Sequence, residues 1–177
     1  SRVPPSDGDS RVGTPSVQKA DTEAYNASQG ISYADLSDRK ITRETCLRYG
    51  VGWRGDDLAF PIGESMKLRL KGEKQFKIIG DFQADKRLFG QERFPAGQKY
   101  IIVTEGELDA LAAHQMMQSK TPCVSVRNGA QSALKDCKAN YDYLDSFETI
   151  VFCFDSDAQG LEAQANCCEL FSHKAKY

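Results

Sequence analysis

The chain has 177 residues, 40% hydrophobic and 27% charged, with a formal net charge of −2 and a pI near 5.7. This is enough apolar material for one main domain and a small satellite, and it excludes a uniformly basic surface, so any contact with nucleic acid must come from a local patch. The longest apolar runs, YIIV and IVFCF, fall far short of the ~18 residues of a membrane span, no signal-peptide core opens the chain, and six cysteines without a CxxC pair favour a reducing, intracellular setting.

Residues 1–30 are rich in Ser, Gly, Pro, Asp and Thr and nearly empty of large aliphatics. Such a segment cannot offset its ordering entropy by burial, and it is read as a flexible linker. ITRETCLRYG predicts a short helix, with Thr42 as N-cap, Glu44 in the first turn and Gly50 as the stop. From Trp53 to about Phe94 the apolar period falls to two, so LAFPIG, MKLRLK and QFKIIG read as strands, the last two joined through GEK as a hairpin. In KLRLK, Leu68 and Leu70 alternate with Lys67, Arg69 and Lys71, so one face should pack while the other is basic. Lys77, across the hairpin, is expected to join the basic face. For Lys67 and Lys74 a solvated edge is an equally good reading, and Phe76 and Phe82 are expected in the core.

The remainder alternates differently. KYIIVTEG, PCVSVRNG and TIVFCFDSD read as buried strands, each followed by a helical pattern: ELDALAAHQMMQS, SALKDCKANYDYLDSF and QGLEAQANCCELFS. Apolar strands alternating with helices indicate βαβ units on a parallel sheet. The fold class is therefore α/β: a parallel-sheet domain over residues 98–177, preceded by a small antiparallel α+β subdomain over residues 31–97.

In such sheets the carboxyl ends of the strands line the ligand crevice, so Glu105, after IIVT, and Asp155 and Asp157, after IVFCF, should emerge at one edge. Residues i and i+2 of a strand point the same way, which aims both aspartates at one spot if the strand persists to Asp157. Three carboxylates together are costly without a cation, and hard oxygen donors suit Mg²⁺ or Mn²⁺. For either aspartate alone, helix capping is the better reading; the conjunction of the EGELD run with DxDxxG is what capping does not require. Glu107 and Asp109 also have a simpler role, complementing a helix dipole. The loop RNGAQS lies at the same edge, where Asn128 is a candidate for a phosphate, with a turn at Asn128 and Gly129 as the plainer alternative.

VTEGELDALAA followed by VFCFDSDAQG resembles the Toprim domain shared by topoisomerases, primases and some nucleases. The intervening PCVSVRNGAQSALKDCKANYDYLDSFETI and the upstream QFKIIGDFQADKRLFGQERFPAGQKY are similar to the primase half of the primase-helicases of T-odd (T-seven-like) podoviruses, over residues 40–176. The resemblance implies a DNA primase in phage replication: a DNA-directed RNA polymerase making short RNA primers on single-stranded DNA from NTPs, in the host bacterial cytoplasm. It assigns catalysis to Glu105, Asp155 and Asp157, and a metal site of Mg²⁺ or Mn²⁺ to those three with Glu107 and Asp109. Nucleotide or template binding falls to Arg69, Lys71, Lys77 and Asn128. It also implies zinc-binding and helicase modules in the full-length protein; no zinc-ligand spacing and no GxxxxGK[ST] loop occurs in this chain, which ends about where the last strand of the sheet should begin. A Toprim nuclease or topoisomerase-like fragment, or a nonenzymatic Toprim module, are the rival readings. A topoisomerase would need a nucleophilic tyrosine, whereas Tyr141 and Tyr143 fall in a predicted helix.

Overall fold

The computed structural model describes residues 29–72 and 75–177. The linker expected over residues 1–30 lies outside them except for its last two residues, and so do Glu73 and Lys74 of the GEK turn. Helix α1 (Arg43–Tyr49) forms as its caps dictate: the Thr42 hydroxyl accepts the Thr45 N–H, and Gly50 ends the helix at φ 72°.

Strands β1 (Gly52–Arg54), β2 (Asp57–Ile62), β3 (Ser65–Arg69) and β4 (Phe76–Ile79) follow as an antiparallel meander in sequence order. Directly opposed residues share a face. Trp53 opposes Leu58, Leu58 opposes Arg69 and Arg69 opposes Phe76, which makes one continuous row across the sheet. The neighbouring row on the same face runs Phe60, Lys67, Ile78. Leu58, Phe60 and Ile62 enter the main core from this face; Ala59 and Leu68 form a small cluster with Ile31 on the other.

This register corrects two expectations. Lys77 opposes Leu68, so it lies on the face away from Lys67 and Arg69. Phe76 is 47% exposed at the sheet edge, whereas Phe82 is buried as expected.

The second sheet holds β5 (Tyr100–Thr104), β6 (Cys123–Ser125), β7 (Thr149–Cys153) and β8 (Ala175–Lys176), all parallel, in the order β6-β5-β7-β8. Helix α2 (Glu107–Met116) crosses from β5 to β6 and α5 (Ala158–Leu170) from β7 to β8. The single helix expected after β6 is instead two, α3 (Ala130–Ala139) and α4 (Tyr141–Asp145). Asn140 breaks it: its backbone leaves the helical region (φ −116°, ψ 26°), and its amide donates to the Lys86 and Asp136 carbonyls. Packing against the segment before β5 thus outweighs helix propensity.

One core joins the two sheets. Buried side chains run without interruption from Leu36 and Tyr49 through Phe60 and Phe89 to Val103, Phe152 and Phe171. Among the described residues no helix is long and apolar enough to cross a membrane.

Candidate active site at the strand ends

Strands β5 and β7 are paired in register, Thr104 against Cys153, so the residues that follow them leave the sheet side by side. Glu105 Oε2 accepts the Asp155 N–H at 3.3 Å. The first carboxylate therefore points at the aspartate loop. Gly129, at φ 70°, places its Cα side 3.5 Å (as an ideal Cβ) from Glu105 Oε1, so the turn expected at Asn128–Gly129 closes the third side. Asn128 itself is exposed, its N–H donating to the Ser132 hydroxyl.

Strand β7 ends at Cys153, so the two aspartates do not project as successive strand residues. Asp155 is exposed, while Asp157 caps α5, with Oδ1 accepting the Gly160 N–H at 2.8 Å. Gly160 explains the last letter of the motif: a Cβ there would come within 2.2 Å of the Asp155 carbonyl oxygen. The first turn of α5 can press on the Asp155 backbone only without a side chain.

Burial, and after it the charge of Asp155, holds the Asp109 carboxyl above its ordinary range; Glu107 pushes the same way and Arg39 opposes. Mutual repulsion of this kind is the electrostatic mark of carboxylates gathered without a cation among them. Glu107 is a different case. Its Oε1 receives Lys67 Nζ at 2.7 Å, with both side chains 9% exposed, and Lys67 also donates to the Arg127 carbonyl at 3.2 Å. Neither a solvated edge nor an open anion site describes Lys67.

Arg127, buried, was passed over in the sequence. Its N–H donates to Asp136, its guanidinium lies 3.9 Å from the centroid of the Phe82 ring and donates to the Phe82 carbonyl, and its Nε has no partner. Lys71 sits at the surface, 3.3 Å from Asp56, and Arg69 is half-buried, with no hydrogen bond or ion pair to another described residue.

Among the described residues no three His, Cys, Asp or Glu side chains lie close enough together to form a metal centre as they stand. The chemistry of the edge nevertheless fits a hard divalent ion: its donors are all carboxylate oxygens, and Asp109 and Asp155 repel each other.

Residues 102–176 match the Toprim-like family. The chain is 37% identical over 164 residues to the DNA helicase/primase of Enterobacteria phage T3, an alignment covering 86% of this chain and 28% of that protein, so the chain spans a little over a quarter of that relative. In structure it is similar to the primase fragment of the bacteriophage T7 primase-helicase (TM-score 0.70, 31% identity, 82% of this chain and 63% of that one). It is also similar to T7 primase domains seen with the lagging-strand DNA polymerase and bound to an RNA/DNA hybrid and dTTP (TM-score 0.66, 32% identity, 78% of this chain and 74% of that one).

Proposed function

The chain belongs to the family of Toprim-like primase domains of phage primase-helicases, and from that premise we propose that it is the RNA-polymerising domain of a DNA primase. It acts in the host bacterial cytoplasm, joining NTPs into short RNA primers on single-stranded DNA. The observation that carries this reading is the contact of Glu105 with the Asp155 backbone, which brings the two acidic motifs to one edge.

In the reaction a 3′-hydroxyl attacks the α-phosphorus of the incoming NTP, and pyrophosphate leaves. Glu105 Oε2 is engaged by the Asp155 N–H, which leaves Oε1 to accept the proton of the attacking hydroxyl. A divalent ion, Mg²⁺ or Mn²⁺, held by Glu105, Asp155 and Asp157 with Asp109 beside them, would supply activation of the hydroxyl and neutralisation of the leaving group. Asp157 keeps Oδ2 for this while Oδ1 caps α5. Glu107 adds negative potential, with its Oε1 taken by Lys67. Arg69, Lys71 and Asn128 bind nucleotide or template phosphates on the inner side, and Lys77 the template backbone from the outer face. Residues 31–97 thus hold substrate and 98–177 carry the chemistry. Residues 1–30 form a tether to a zinc-binding module, and a helicase module completes the full-length protein.

The test is template-directed incorporation of labelled NTPs by the intact primase-helicase and its Glu105→Gln and Asp155→Asn variants. Each should lose synthesis by about a hundredfold or more. Unchanged synthesis in both rejects the catalytic assignment; cleavage of DNA without synthesis favours a Toprim nuclease.

A further inference from the structure

A groove of about 570 Å³ opens between the 35–39 segment, the inner face of the first sheet and Leu108. Its sheet side carries Trp53 and Arg69, both on the cross-strand row Trp53–Leu58–Arg69–Phe76, with Lys71 just beyond the end of β3. Trp53 is half-exposed, and its indole N–H meets no acceptor among the described residues; the Arg69 guanidinium likewise has no partner among them. An aromatic face and an uncommitted guanidinium therefore stand on one wall. The opposite wall is acidic, with Asp35 and Asp38, and Arg39 beside them. Leu108 lies between Glu107 and Asp109, so the groove opens directly onto the acidic edge.

We propose that this groove seats a nucleotide of single-stranded DNA, its base stacked on Trp53, its phosphate on Arg69, and its amino groups toward the carboxylates of the 35–39 segment. The proposal rests on the primase reading and adds the part of the first sheet that grips the strand. The volume lies in the range of small-molecule sites. Indole faces accept any base, guanidinium forks match phosphate oxygens, and carboxylates accept from exocyclic amines. A free NTP offers the same chemistry, but the row continues past Arg69 to Phe76, a second exposed aromatic. Three strand spacings separate Trp53 from Phe76, about 14 Å, more than one base covers, and this favours a continuous strand over a mononucleotide.

Trp53 is the only tryptophan of the chain, so its emission reports the groove directly. Titration with an oligodeoxynucleotide of about ten residues should quench it saturably, with the midpoint of the anisotropy isotherm of the same labelled oligonucleotide. Trp53→Ala should weaken that isotherm about fivefold or more, and Trp53→Phe should restore most of it. Circular dichroism checks that Trp53→Ala is folded, and the quenching of the unmodified protein needs no variant. Three results would overturn the inference: no oligonucleotide binding, binding with unchanged Trp53 emission, or an unaltered isotherm in a folded Trp53→Ala. Stronger quenching by ATP than by the oligonucleotide overturns the strand assignment in favour of the incoming nucleotide. Primer synthesis without Trp53 engagement sinks only the groove; Trp53 engagement in an intact protein that makes no primers sinks only the primase reading.

Discussion

Lys67 and Glu107 meet between β3 and the start of α2, where each is buried and each is the other's counter-charge. Such a pair contributes little against an apolar replacement, but removing one member strands a buried charge, at about 3–5 kcal/mol. Lys67→Met should therefore lower urea stability by about that amount, and Lys67→Met with Glu107→Gln should recover most of it; a double variant no better than the single would show that the pairing is not what matters. His114 tests the same burial logic by pH. Its ring packs between Tyr49 and Phe94, with Nδ1–H donated to the Thr121 carbonyl at 2.7 Å. Burial holds the imidazole below its ordinary 6.5, and the Thr121 bond only partly offsets this. The unfolded chain thus takes up a proton near 6.5 that the folded chain refuses. The stability His114 contributes is complete above that pH and is lost as pH falls from 6.5 toward the folded value, by at most about 1.4 kcal/mol per pH unit. Melting curves between pH 7 and 5 should show a slope that His114→Gln removes.

At the scale of elements, much of the site could be read from the chain because it depends on local rules. The apolar runs of β5 and β7 end in carboxylates, and parallel pairing must deliver both ends to one edge. What the sequence could not reveal was the parity of the first hairpin sheet. Whether Lys67 or Lys77 faces the core depends on turn geometry, and a shift of one residue exchanges every side chain between faces. Nor could propensity foresee the break at Asn140, whose amide is claimed by Lys86, 54 positions away. The DxDxxG glycine shows local and tertiary constraint coinciding: Gly160 is both the donor that Asp157 caps and the gap that admits the Asp155 carbonyl. Gly160→Ala replaces a poor helix former with the best one, so propensity alone predicts about 1 kcal/mol of stabilisation. With 2.2 Å from Cβ to a backbone oxygen, the steric term should win. We expect lower thermal stability and a loss of primer synthesis of about tenfold or more, since a displacement of about 1 Å is enough to cost that. A stabilised, fully active variant would mean that the loop yields at no cost.

For the whole molecule the question is whether two sheets make two folding units. Their separate strand orders suggest two, but the packing says otherwise. Tyr49 of α1 donates to the Cys123 carbonyl of β6 at 2.7 Å and stacks on Phe89, while Phe89 pairs through its backbone with Ser125. Lys67 reaches Glu107, and Arg127 reaches back to Phe82. The antiparallel sheet is covered on its inner face by the same buried cluster that underlies β5 and β7, and on its outer face by only the few residues around Ile31. A four-stranded meander with so small a cluster of its own has little apolar burial to set against its chain entropy once the shared core is removed. It should not persist alone. The emission of Trp53, on β1, reports the first sheet, whereas far-UV ellipticity is dominated by the helices α2 to α5, which pack on the second. In urea the two signals should fall with one midpoint and one slope, and Arg127→Met should shift both together, because the guanidinium ties the segment before β5 to the end of β6. An early loss of the Trp53 signal, with ellipticity intact, would make the first sheet an independent clamp that closes on the second, and the grip on template would then be gained on folding rather than built in.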